Sequence, residues 1–226
     1  PTEFQTTCSP LGFATTGKQS DCYKPENYDN KYAGPITLRN ALGGSRNIPA
    51  VKLLYLTTIN DSLRTAKNMG ISTLKDANQY GLTLVLGGGE VTLLDMTSAY
   101  GVFATEGIKQ TPFSIIRVED ANGNVLEEHK ESSGQNVLDA NSARIISDIL
   151  SDNEARTPLY GANSFIYFGE RNVAGKTGTT NNNKDAWMMG YSPTIAVGVW
   201  SGNNDNTPMK KGSAISGRLW REFMDY

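Results

Sequence analysis

The sequence predicts an α+β domain, with helices packed against an antiparallel sheet. Three observations predict it. Capped apolar segments with helical spacing fill the first two-thirds of the chain. Strand-like apolar runs come late, at Phe165–Phe168, Ala186–Tyr191 and Ile195–Trp200. No internal repeat and no second domain boundary interrupts the 226 residues, so residues 1–226 read as one domain.

Taken in order, residues 1–35 are rich in Thr, Gly, Pro and Asn and read as loop. Cys8 and Cys22 lie in that stretch, and a bridge between them would add roughly 3 kcal/mol by constraining the unfolded chain. The pair reads as a disulfide candidate, with two free thiols as the alternative. Thr37 caps a short helix through Leu42, and Gly43-Gly44 ends it. After Ser45-Arg46-Asn47, Pro49 sits near the first turn of a helix over Ala50–Leu56. Asn60-Asp61 starts the next, with Leu63, Ala66 and Met69 on one face and Gly70 as its stop.

Leu82–Gly89 is apolar and then glycine-rich. Thr92 and Asp95 form a capping box for a helix through Thr105. Phe113–Val118, Ala121-Asn122-Gly123-Asn124 and Val125-Leu126 read as a hairpin. Asp139 or Asn141 caps a helix carrying Ile145, Ile146, Ile149 and Leu150. A polar stretch with Arg156 leads to the strand at Phe165–Phe168. Ser192-Pro193-Thr194 joins the last two strands. Ser213–Phe223 closes the chain as a helix holding Ile215, Leu219, Trp220 and Phe223.

Composition narrows the function. Charged residues are 19% and the formal net charge is −2, which speaks against nucleic acid as the partner. No run approaches the apolar length of a membrane span. One histidine and two cysteines leave too few ligands for a zinc site, so no metal and no cofactor is expected. The single His129 sits in a charged segment and reads as a solvated residue.

The chemistry concentrates at Ala174-Gly175-Lys176-Thr177-Gly178-Thr179-Thr180, placed in or beside the late sheet. The flanking glycines are expected to let a ligand backbone approach. A phosphate loop is one reading of Gly-Lys-Thr. It fails on spacing, because Gly169 and Gly175 are separated by five residues where four are needed, and no helix start follows Thr177. The other reading is the Lys-Thr-Gly element of serine acyl-enzymes that act on penicillin.

Further stretches carry a resemblance. Gly34–Leu42, Ser45–Lys52, Leu86–Tyr100, Ala174–Thr180 with Asp185-Ala186-Trp187, and Gly190–Gly202 together resemble the transpeptidase domain of class A penicillin-binding proteins. The likeness covers nearly the whole chain in order. It implies a β-lactamase/transpeptidase-like fold and acyl transfer from D-Ala-D-Ala stem peptides through a serine acyl-enzyme, a serine-type transpeptidase/carboxypeptidase reaction that β-lactams intercept. It implies an extracytoplasmic setting at the bacterial cell membrane.

The family's Ser-x-Asn matches Ser45-Arg46-Asn47, and its Lys-Thr-Gly matches Lys176-Thr177-Gly178. The resemblance therefore implies catalytic roles for Ser45, Asn47 and Lys176, and substrate binding by Thr177, Gly178 and Thr179. The family's Ser-x-x-Lys should precede Ser45. The sequence holds that pattern only at Ser72-Thr73-Leu74-Lys75, in the wrong order. The nucleophile is thus expected outside this chain, in an upstream segment of a longer parent with a glycosyltransferase domain and a membrane anchor. A non-catalytic penicillin-recognising or scaffolding module is the alternative.

Overall fold

The computed structural model describes residues 23, 25–130, 133–210 and 214–226. The Cys8–Cys22 pairing lies outside the described residues. Seven α-helices, three short 3-10 helices and seven strands occur among those described.

Helix α1, Leu38–Gly43, starts where the Thr37 hydroxyl accepts the Asn40 N–H. Helix α2, Asn47–Thr57, buries Ile48, Val51 and Leu54 and begins three residues before Ala50. Pro49 is therefore inside its first turn, where the missing N–H has no helical partner to lose. Helix α3, Ile59–Met69, is capped by Thr58 rather than by Asn60-Asp61, and Gly70 ends it at φ +112°. Helix α4, Leu93–Ala104, and helix α5, Ala140–Ser151, start at the expected caps Thr92 and Asp139.

Helix α6, Asn153–Tyr160, occupies the stretch read as merely polar. Asp152 caps it by accepting the Ala155 N–H, and Gly161 follows it. Pro158 within the helix hid it from a propensity reading. Its Arg156 is buried. Helix α7, Ala214–Asp225, closes the chain.

The main sheet runs β5 (Ala174–Thr179), β6 (Asp185–Tyr191) and β7 (Ala196–Gly202), antiparallel in that order. Its register pairs Lys176 with Met189 and Trp187 with Trp200. One face packs on α7 through Ile166, Phe168, Val173, Met188, Trp220 and Met224. The other packs on α4 and α5 through Leu150, Ala174, Tyr191, Tyr100 and Phe103. The layers approach closely because glycines admit them. A Cβ on Gly190 would lie 2.2 Å from the Trp220 ring, and one on Gly198 would lie 2.1 Å from Thr97 Oγ1 on α4.

Two small pairings lie apart from this sheet. β1 (Ile108–Lys109) pairs with β4 (Gln135–Asn136), and β2 (Arg117–Glu119) pairs with β3 (Val125–Glu128). The hairpin is shorter than expected, beginning at Arg117 rather than Phe113. Phe113 instead stacks on His129 with ring centroids 3.5 Å apart, so that histidine is not simply solvated.

Two further expectations are corrected. Phe165–Phe168 is a run of turns, not a strand. Arginine side chains take its carbonyls: Arg221 binds those of Phe165 and Tyr167, and Arg156 binds that of Ile166. With its acceptors met by guanidinium groups, the segment needs no neighbouring strand. Helix α7 buries Ser216, Gly217, Trp220 and Met224, and leaves Ile215, Leu219 and Phe223 exposed. The small residues Ser216 and Gly217 set that face, since a Cβ at Gly217 would lie 2.7 Å from the Phe165 ring. Among the described residues, no helix is long and apolar enough to cross a membrane.

Candidate active site

The sequence brings two distant segments together at the outer edge of β5. The first is the corner between α1 and α2. Gly44 ends α1, and Ser45 follows with φ +50°, a left-handed conformation uncommon for a residue with a side chain. Local bonds hold that corner. The Ser45 N–H donates to Leu42 O and the Arg46 N–H to Ala41 O, at 3.1 and 2.8 Å. The Arg46 side chain reaches Asp29 at 2.9 Å and Lys31 O at 2.6 Å. The Asn47 amide donates to Glu26 O at 2.8 Å. Backbone strain retained in this way concentrates at functional sites.

The second segment is β5 itself. Strand alternation sends Lys176 and Gly178 to the α4–α5 face with Ala174. Thr177 and Thr179 go to the α7 face with Gly175. Lys176 Nζ donates to Ser45 Oγ at 2.7 Å, and to Thr177 O at 2.7 Å. Lys176 is half-buried. That desolvation pushes it down to about 8, and no neighbouring carboxylate among the described residues holds it up. The site is therefore a partly desolvated cation, with no counter-ion among the described residues, pressed on a serine hydroxyl.

Around this pair, the Thr177 hydroxyl meets the Tyr160 phenol at 2.6 Å, and Thr179 is exposed beyond it. Thr180 and Asp185 close the β5–β6 connection. The Thr180 hydroxyl donates to Asp185 Oδ2 at 2.9 Å, and the Trp200 indole donates to Asp185 Oδ1 at 3.1 Å. The two glycines differ in purpose. A Cβ at Gly175 would lie 2.6 Å from Ile166, so that glycine serves core packing rather than ligand approach. Gly178 lies opposite Trp187 with room at ordinary contact distance.

Ser72 is held elsewhere, its hydroxyl donating to the Asp95 carboxylate at 2.7 Å. A groove of about 460 Å³ at the other end of β5 and β6, lined by Arg171, Val173, Pro193, Ile195 and Met224, contains none of the predicted site residues.

A profile of the penicillin binding protein transpeptidase domain matches residues 3–225. The chain belongs to the penicillin-binding protein transpeptidase family. It is 38% identical over 203 residues to penicillin-binding protein 1A of Aquifex aeolicus, covering 88% of this chain and 27% of that protein. It is 29% identical over 225 residues to penicillin-binding protein 1A of Neisseria lactamica, covering 96% of this chain and 28% of that one. The chain thus spans little more than a quarter of the length of these curated relatives.

Among solved structures, the penicillin-binding protein PonA1 of Mycobacterium tuberculosis superposes with a TM-score of 0.77 at 26% identity, over 98% of this chain and 62% of that one. Penicillin-binding protein 1A of Haemophilus influenzae superposes at 0.79 with 24% identity, over 96% and 38%, and supports the fold alone. The architecture is the β-lactamase/transpeptidase-like fold of these transpeptidase domains.

Of the residues singled out from sequence, Ser45 and Lys176 are in direct contact, Asn47 lies in the same corner, and Thr177–Thr179 continue the same strand edge. One neighbour of the site was missed, Tyr160, whose phenol meets the Thr177 hydroxyl. It belongs to α6, and the Asp152 cap with Gly161 nine residues later was the available signal.

Proposed function

We propose that residues 1–226 form the part of a peptidoglycan D,D-transpeptidase domain that assembles around an acylating serine supplied by another part of the protein. One observation carries this reading. The Lys176 ammonium, with no carboxylate beside it among the described residues, sits 2.7 Å from Ser45 Oγ at a strained corner, an arrangement suited to drawing an anion. The absence of Ser-x-x-Lys ahead of Ser45, together with the much greater length of the relatives, supports a nucleophile outside this sequence.

In this reading the serine attacks the D-Ala-D-Ala carbonyl while the lysine of its own Ser-x-x-Lys takes its proton, the C–N bond breaks, and D-Ala leaves with a proton on its nitrogen. An amine from a neighbouring strand then takes the acyl group; water in its place gives the carboxypeptidase outcome. Lys176 donates to Ser45 Oγ, so the Ser45 proton is free to pass to the leaving nitrogen. Lys176 also draws the terminal carboxylate, with the Thr177 and Thr179 hydroxyls beside it. The Thr179 N–H completes an oxyanion site with that of the nucleophile. Asn47 braces the corner through Glu26 O and lies where a substrate amide would pass. The parent works on the extracytoplasmic side of the bacterial membrane, where peptidoglycan is, and β-lactams occupy the stem-peptide site. PonA1 solved in complex with penicillin V supports that choice of probe.

The test is labelling of the full-length protein with fluorescent penicillin. Covalent label at a serine upstream of Ser45, lost in Lys176→Ala, supports the reading. An unlabelled wild type favours the second one, a penicillin-recognising or scaffolding module, whose motivation is the Ser-x-x-Lys missing ahead of Ser45.

A further inference from the structure

Tyr160 ends α6 and belongs to neither segment that carries the motifs. Its helix is anchored one turn earlier, where Arg156 donates to Leu150 O and Ile166 O, both at 3.0 Å. The Tyr160 ring packs on the core cluster beneath the sheet and meets Phe165 edge-on at 6.4 Å. Its hydroxyl lies 2.6 Å from Thr177 Oγ1, from the α7 side of β5.

We infer that Tyr160 is a positioning residue, whose phenol donates to Thr177 Oγ1 and so turns the threonine proton outward as a donor for the substrate carboxylate. The polarity follows from acidity. A phenol is a far stronger donor than an alkyl alcohol, so between the two the O–H of Tyr160 is the one donated. Thr177 Oγ1 then has one of its two lone pairs occupied by the phenol, and its single proton is turned away from Tyr160. A threonine without that partner spreads its proton over several rotamers, and an anion must order it on binding. The proposal rests on Thr177 contacting the carboxylate in the transpeptidase reading. Burial raises the Tyr160 phenol above its usual range, which keeps it protonated wherever Lys176 is charged.

The test uses the full-length protein and two probes, penicillin and its methyl ester. Tyr160→Phe is expected to slow acylation by penicillin about three- to tenfold, the scale of one neutral hydrogen bond, and to leave the slower reaction of the ester unchanged. In a Thr177→Val background the same change is expected to do nothing more. Equal losses on acid and ester, full additivity with Thr177→Val, or no loss at all would each overturn the inference. Should Tyr160→Phe melt well below wild type, 3-fluorotyrosine at position 160 keeps the ring and hydroxyl while changing its acidity. A shifted acid-to-ester ratio then supports the inference and an unchanged one overturns it. A wild-type protein that penicillin does not label at all brings down the transpeptidase reading itself, and this inference with it.

Discussion

Lys176 and Ser45, 131 residues apart in the chain, share a 2.7 Å hydrogen bond at the edge of the main sheet. The lysine is the donor and has no carboxylate partner among the described residues. Removing it leaves Ser45 without its donor and the site without its charge. Lys176→Ala is expected to slow penicillin acylation of the full-length protein roughly a hundredfold or more, the scale of one preorganised electrostatic group. Stopped-flow labelling measures it, and a loss below a few-fold would argue against a catalytic position.

The same lysine sets a pH dependence. Burial lowers it from 10.5 to about 8, so its charge disappears as pH rises through about 8. Acylation by a carboxylate-bearing penicillin is expected to fall on that alkaline limb, and Lys176→Arg to remove the limb. Stability moves the other way. Between about 8 and 10.5 the unfolded chain still binds the proton that the folded one has released, so this group adds stability as pH rises across that window. Denaturant titrations at pH 7.5 and pH 9.5, wild type against Lys176→Met, isolate the contribution.

Arg156 should matter to stability far more than its place in a polar stretch suggests. It is buried, and its guanidinium satisfies two buried carbonyls. Arg156→Met is expected to lower stability by about 3 kcal/mol, because those acceptors lose a charged donor. Equilibrium unfolding checks this; a change under about 1 kcal/mol would mean that water or another side chain replaces the guanidinium.

Gly190 and Trp220 fix how closely α7 lies on the sheet. A methyl group at Gly190 would lie 2.2 Å from the Trp220 ring and 2.6 Å from Ala174 O. Gly190→Ala is expected to destabilise by about 1–3 kcal/mol through overpacking. Trp220→Phe should be less harmful in the Gly190→Ala background than alone. A thermodynamic cycle of the four proteins reads that coupling, and strict additivity would refute the contact.

The β5–β6 connection offers a milder probe. Asp185 holds Thr180 and Trp200 with its two oxygens. Asp185→Ala is expected to cost about 1–2 kcal/mol, since both donors are left to solvent at an exposed turn. Melting curves check it, and no loss would show that the turn holds without its carboxylate.

Much of this was legible in the residues themselves. Thr37, Thr92, Asp139, Gly70 and Ser192-Pro193-Thr194 act over a few residues, so helix starts, stops and the last hairpin could be placed from local rules. The pairing of a Ser-x-Asn with a Lys-Thr-Gly could be read because each is a contiguous string. The Phe165–Phe168 run could not, because its apolar residues looked like a strand while arginines from α6 and α7 took its carbonyls. The buried face of α7 also escaped, because Ser216 and Gly217 face the core for their small size and not for their hydropathy. By itself the sequence determined the family, the sheet that carries Lys176 and the corner that carries Ser45. Only the tertiary structure decided that the lysine is desolvated against Ser45, that Ser45 sits at positive φ, and that Tyr160 backs Thr177. The reason is physical: charge balance, desolvation and hydrogen-bond partners depend on what long-range packing puts next to a group, and no short window of residues contains that neighbour.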